Sequence, residues 1–151
     1  MKHEHRARIV AVIFVLLAAA CCLAALVFAQ PRSYVRAYGD ATFHDLNPAM
    51  TEGAQVAALW GDPGTGPSAV LFKMKRGVTP LHTHSSDYHL AVIEGTMKHW
   101  VDGESETAAP ALGPGSYWYI RGSQSHADSC LSDVCVAFIK WEGKRDARLS
   151  R

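Results

Sequence analysis

Charge is scarce in this chain of 151 residues: 19% of them are Asp, Glu, Lys or Arg, and the formal net charge is +1. That balance excludes a disordered acidic or basic tail. Cysteine occurs four times, too rarely for a cysteine-dense knot. Internal repeats and low-complexity tracts are missing, which removes collagen-like and other fibrous classes. At 16.4 kDa the chain is also too short for a large multidomain enzyme. After residue 30 no apolar pattern of period 3.6 persists over ten positions, because Gly or Pro interrupts nearly every window. These absences leave an all-β sandwich or barrel.

What the sequence does have is one long apolar run, residues 9–28, preceded by the basic flank Lys2, Arg6 and Arg8. A basic n-region, an apolar stretch and a small residue at Ala29 predict an export segment over 1–29. The run is also long enough to cross a bilayer, so a cleaved signal peptide and an uncleaved N-terminal anchor helix both fit it. Either way the basic flank stays cytoplasmic and the remainder is exported, periplasmic or extracellular, touching a membrane only through this segment. Cys21 and Cys22 lie inside the run, and Ala18, three places before Cys21, disfavours lipidation. Residues 30–151 then carry 12 basic and 13 acidic side chains, a net charge of −1 with no basic patch for nucleic acid.

The exported part is a single domain. Residues 30–49 read as a linker with a first edge segment, 50–141 as the β-barrel, and 142–151 as a charged tail that frays. Turn clusters recur at Gly61 to Pro67, Arg76-Gly77, Glu94-Gly95, Asp102-Gly103, Gly113-Pro114-Gly115 and Arg121-Gly122, with a further turn at Leu131-Ser132-Asp133. Between them AVLFKMK, YHLAVIE, TMKHWV, SYWYI and VCVAFIKW are short and rich in β-branched and aromatic residues, which predicts strands.

Four of the eight histidines carry the argument. His82 and His84 are two apart, so on a strand both rings project from one face and can approach one ion. His89 opens the next strand, where chain reversal would bring it opposite the pair, and His126 comes later in the chain. Packing seldom explains such a group, because buried neutral imidazoles need partners for both nitrogens. His99, alternating with Trp100, reads as a packed or solvated histidine, and His44 lies in a poorly patterned segment.

The stretch 77–126 resembles a cupin, with Gly77, His82, His84 and Gly95 standing in the family's first motif and Pro114-Gly115 with His126 in its second. It is most similar to small, often exported cupins of an uncharacterised family with a GDP turn, an HTHS motif, a PGSYW strand and a late cysteine pair, and it also resembles ChrR-type cupin domains. The resemblance implies a double-stranded β-helix, or jelly-roll barrel, over residues 50–141. It further implies that His82, His84, His89 and His126 hold one divalent metal. His89 stands where the family's carboxylate ligand usually stands, and Asp87, two residues earlier, is the alternative ligand.

Four imidazoles suit zinc, iron, nickel or copper, with manganese less favoured for want of a carboxylate. Metal affinity should fall as imidazoles of ordinary pKa protonate, near pH 6. Tyr88, Trp118 and Tyr119, with Tyr117, are candidates for the wall of a ligand cavity. Cys130 and Cys135 flank LSDV; in an exported compartment the leading reading is a disulfide across a tight hairpin. The function this predicts is a metal-binding module that takes a small-molecule ligand. The competing reading is a metal-dependent oxygenase or isomerase acting on a small organic molecule, with no catalytic residue assigned, and a homodimer is compatible with either.

Overall fold

The computed structural model describes residues 33–47 and 53–150. The predicted export segment, residues 1–29, lies outside the described residues. The chain divides into two compact units at Val35/Arg36, and the larger, Arg36–Arg151, carries the sheet.

Among the described residues there are nine strands and one 3-10 turn at Tyr38–Asp40. The strands are β1 (His44–Asp45), β2 (Gln55–Gly61), β3 (Ser68–Val78), β4 (His82–Thr83), β5 (Tyr88–Glu94), β6 (Met97–Val101), β7 (Tyr117–Ile120), β8 (His126–Trp141) and β9 (Arg148–Leu149). All five apolar stretches predicted as strands are found in β3 and β5 to β8. Every pairing is antiparallel, and β8 is the organiser. Its second half lies between β3 and β5, and its first half between β6 and the far end of β3, with β4 also paired at His126.

Alternation decides which side chains enter the barrel. In β5, Tyr88, Leu90 and Val92 are buried while His89 and Ala91 are not. In β7, Trp118 and Ile120 are buried and Tyr117 and Tyr119 are exposed. The inward rows join Val70, Met74, Met97, Ala137, Ile139 and Trp141 in one core. Burial of each large apolar side chain there contributes about 1.5–3 kcal/mol.

Two expectations change. The segment Leu131-Ser132-Asp133 is not a hairpin turn. From Lys75 to Gly77 is two steps along β3, while their partners Val134 and Cys130 are four steps apart on β8, so the chain bulges outward and continues in the same direction. Cys130 and Cys135 form a disulfide that clasps the base of this bulge. Closing so short a loop contributes about 2 kcal/mol in the chain-entropy account. The turn cluster misled because a bulge needs the same residues as a reversal.

Gly95 sits directly beneath the clasp. Its φ is +79°, and a Cβ there would lie 2.5 Å from the Val134 carbonyl oxygen and 2.9 Å from the Cys135 sulfur. Both the left-handed backbone and the close approach demand glycine. Gly95→Ala should therefore cost about 2 kcal/mol of stability, read as the urea midpoint. A change below about 0.5 kcal/mol would contradict the packing described.

The second change concerns the tail. Residues 142–150 do not fray but form a strap across one end of the barrel. β9 pairs with β4, setting Leu149 beside His82 and Arg148 beside Thr83. The Arg145 N–H donates to the Pro63 carbonyl (2.8 Å), the Ser86 hydroxyl to the Lys144 carbonyl (2.8 Å), the Ser85 N–H to the Asp146 carboxylate (2.8 Å) and the Ser150 N–H to the Leu81 carbonyl (3.0 Å). Charge in the sequence suggested solvent, yet it is the strap's backbone and small side chains that do the binding.

Candidate metal centre

β4 delivers His82 and, one residue past its end, His84 to the same face; β8 begins with His126 directly across from His82. The three rings meet edge to face or tilted, with centroids 4.4–5.2 Å apart, and one ligand atom from each lies within 4.8 Å of the others. His126 is fully buried.

The orientation of the rings is set by their second nitrogens. Nδ1 of His82 bonds the Pro80 carbonyl at 2.8 Å, Nδ1 of His126 bonds the Gln124 carbonyl at 2.9 Å, and Nδ1 of His84 bonds the Asp146 carbonyl on the strap. A carbonyl only accepts, so each Nδ1 carries the proton and each Nε2 keeps its lone pair. Three Nε2 lone pairs with locked tautomers suit a borderline transition metal, and the backbone carbonyls supply the outer support that metal-bound histidines commonly have.

Burial also favours the neutral form of two of these rings, His84 and His126. It pulls His84 from 6.5 down to about 4, helped by the neighbouring His82 and His126 and opposed by the Asp146 carbonyl. Burial likewise lowers His126, against the Gln124 carbonyl and Asp128.

His89 does not join them. β5 places Tyr88 inward, so His89, one residue on, faces out. There its Nδ1 bonds the Tyr117 hydroxyl at 2.6 Å and its Nε2 lies 3.2 Å from Glu142, leaving no bare nitrogen. Asp87 is elsewhere too: it accepts from the Gly122 N–H at 2.7 Å and the Tyr119 hydroxyl at 2.6 Å, and these bonds hold its carboxyl below the usual range. The fourth group beside the cluster is Tyr88, whose hydroxyl lies 3.0 Å from His126 Nε2. Burial, then the Asp128 charge, raises this phenol well above its ordinary pKa, so it stays protonated and donates to Nε2.

Of the proposed cavity aromatics, Tyr88 alone lines the cavity. Trp118 stacks on His99 in the core at 5.0 Å, and Tyr117 and Tyr119 lie on the outer face. His99, read as packed or solvated, is packed, and against the site itself: its Nδ1 is 2.7 Å from Asp128 and its ring 5.4 Å from His126. The alternation of β6, which puts Met97 and His99 on one face, was the available signal. The cavity is about 110 Å³, mostly apolar, and walled by Val56, Val70, Leu90, Ile139, Trp141 and Arg145 together with His82, His84 and Tyr88.

The family described as a domain of unknown function (DUF4437) matches residues 35–144. The chain belongs to that family. This DUF4437 domain also has the cupin fold. It superposes on KdgF from Halomonas sp. (22% identity, 75% of this chain and 97% of that one, TM-score 0.57). It is likewise similar to the DMSP lyase DddQ from Ruegeria pomeroyi DSS-3 (19%, 84% and 75%, TM-score 0.59) and to an RmlC-like cupin from Shewanella frigidimarina NCIMB 400 (17%, 78% and 96%, TM-score 0.59). At these identities the likeness is one of fold. No curated protein matches the DUF4437 chain.

Proposed function

We propose that this DUF4437 cupin is a metal-binding module that holds one divalent transition metal on His82, His84 and His126 and admits a small molecule to the adjoining cavity. The observation that carries the reading is the set of three imidazoles whose ligand atoms lie within 4.8 Å of one another, each with its Nδ1 bonded to a backbone carbonyl. Zinc, iron, nickel and copper all suit that donor set. A bound ion would act as a Lewis acid toward a ligand atom.

Tyr88 has a definite part in this. Its hydroxyl bonds the same His126 lone pair that a metal needs, so loading the site displaces this bond and leaves the phenol beside the coordination point. A catalytic reading, metal-dependent chemistry on a small organic molecule, draws its support from that group, which could donate or accept a proton there. The similar DddQ is a DMSP lyase, which shows that such a fold can house an enzyme. Export, with or without retention of an N-terminal anchor, belongs to the same proposal, and the buried disulfide agrees with an oxidising compartment.

The test is elemental analysis of protein purified from its own compartment and dialysed, then screening for co-purified molecules and for turnover. About one transition metal per chain is expected. If Tyr88→Phe retains metal but loses any turnover found, the enzyme reading gains; ligand binding without turnover in either protein favours the module. Protein that takes up no zinc, iron, nickel or copper at micromolar concentration would overturn the site.

A further inference from the structure

The cavity beside the three histidines contains a cation with which no carboxylate among the described residues forms an ion pair. Arg145, on the strap, lines it among Val56, Val70, Leu90, Ile139 and Trp141. Its place is fixed from both sides, since its own N–H is held by Pro63, the carbonyl of Lys144 by Ser86, and Asp146 by Ser85 and His84. The side chain is half-buried, and among the described residues no carboxylate forms an ion pair with it. Loss of solvent lowers its pKa, and the nearby charge of Asp146 only partly offsets that.

Asp128, the other charged residue in the cavity wall, is committed to His99. A half-buried guanidinium without an ion-pair partner among the described residues is costly, and folds that keep one commonly use it for an anion brought by a ligand.

We propose that Arg145 is the anion anchor of the cavity, and that the ligand is a small monocarboxylate with a short apolar body. This deepens the reading of the three-histidine cavity as a ligand site and rests on it. One guanidinium matches one carboxylate in charge and in its forked donor geometry. The apolar wall and a volume near 110 Å³ suit a body of only about three carbons, since benzene, with six, takes a cavity of about 150 Å³. The strap thereby couples two tasks: Asp146 orients His84, and its neighbour Arg145 selects what reaches it.

The proposal is tested by calorimetric titration of the metal-loaded protein with sodium butanoate, butanamide and inorganic phosphate, using wild type, Arg145→Gln and Arg145→Lys. Butanoate should bind about 10- to 100-fold more tightly than butanamide, as expected for a charge-assisted pair. Arg145→Gln should bring the ratio close to one with metal content unchanged, and Arg145→Lys should keep part of it. The anchor is overturned if wild type binds neither compound, if the ratio in wild type is near one or survives in Arg145→Gln, or if phosphate binds more tightly than butanoate. The wild-type comparison needs no variant to fold. Metal content is measured on the same samples, so an absent metal with an intact acid preference would sink the metal reading and leave the anchor standing.

Discussion

Replacing His126 with alanine should lower metal affinity about 100-fold or more, measured by competition with a chelator of known affinity. Structural zinc sites gain about 10–16 kcal/mol from roughly four ligands, so one ligand carries about 3 kcal/mol, which corresponds to about 100-fold. His126 is also the hub of the cluster, touching the rings of His82, His84 and His99 and taking the Tyr88 hydroxyl bond. Its loss leaves that buried phenol without its acceptor, which adds a stability cost of about 1–3 kcal/mol. The stability and metal effects are separable, because Tyr88→Phe removes the phenol's need without touching a ligand. His126→Ala should lose metal alone and in the double variant, whereas Tyr88→Phe alone should load. His89→Ala is the matching control: with both ring nitrogens engaged on the outer face, it should retain full metal affinity. Equal losses for His89→Ala and His126→Ala would mean that the cluster described is not the metal centre.

The contrast between those two histidines marks what could be read from residue order. Period-two alternation and turn residues located the main strands, and H-x-H placed His82 and His84 together, because these are properties of neighbours in the chain. The fourth position depended instead on which parity of β5 faces inward. Tyr88 and His89 differ by one residue, and their sides are set by register against Trp141 and Lys140 of β8. A bulky aromatic beside a histidine does not announce which of them turns to the core. The strap was hidden for a related reason. Residues 144–146 look like solvated charge, but the groups that fasten them to Ser85, Ser86 and His84 are two carbonyls and one short carboxylate. Backbone partners leave no trace in composition. The bulge at 131–133 shows a third kind of loss, where one set of turn residues serves either reversal or detour, and pairing with β3 decides.

In the metal-free protein, stability should fall by about 3 kcal/mol between pH 6.5 and pH 4 from His84 alone. Burial holds the folded-state value of His84 at about 4, against 6.5 when exposed. Between those limits the unfolded chain binds a proton that the folded chain refuses, so stability rises with pH across the window. The contribution is complete above about 6.5 and is lost as the pH falls toward 4; 2.5 pH units at 1.36 kcal/mol each give about 3 kcal/mol. His126, lowered for the same reason, adds in the same direction. The carboxyls of Asp87, Glu142 and Asp146 are held below their ordinary values, so they begin to weaken the fold as the pH falls below about 5 and overlap only the acid end of the histidine window. Urea midpoints in the presence of a chelator at pH 7, 5.5 and 4.5 should trace this slope, and His84→Gln should flatten it by about one proton. For the metal-bound protein the same neutrality moves the acid limit. His84 needs no proton removed to ligate at pH 5, so on its account metal release belongs nearer pH 4 than the pH 6 of free imidazole. A midpoint that does not move with pH in wild type, or moves equally in His84→Gln, would show that His84 is not held neutral by burial.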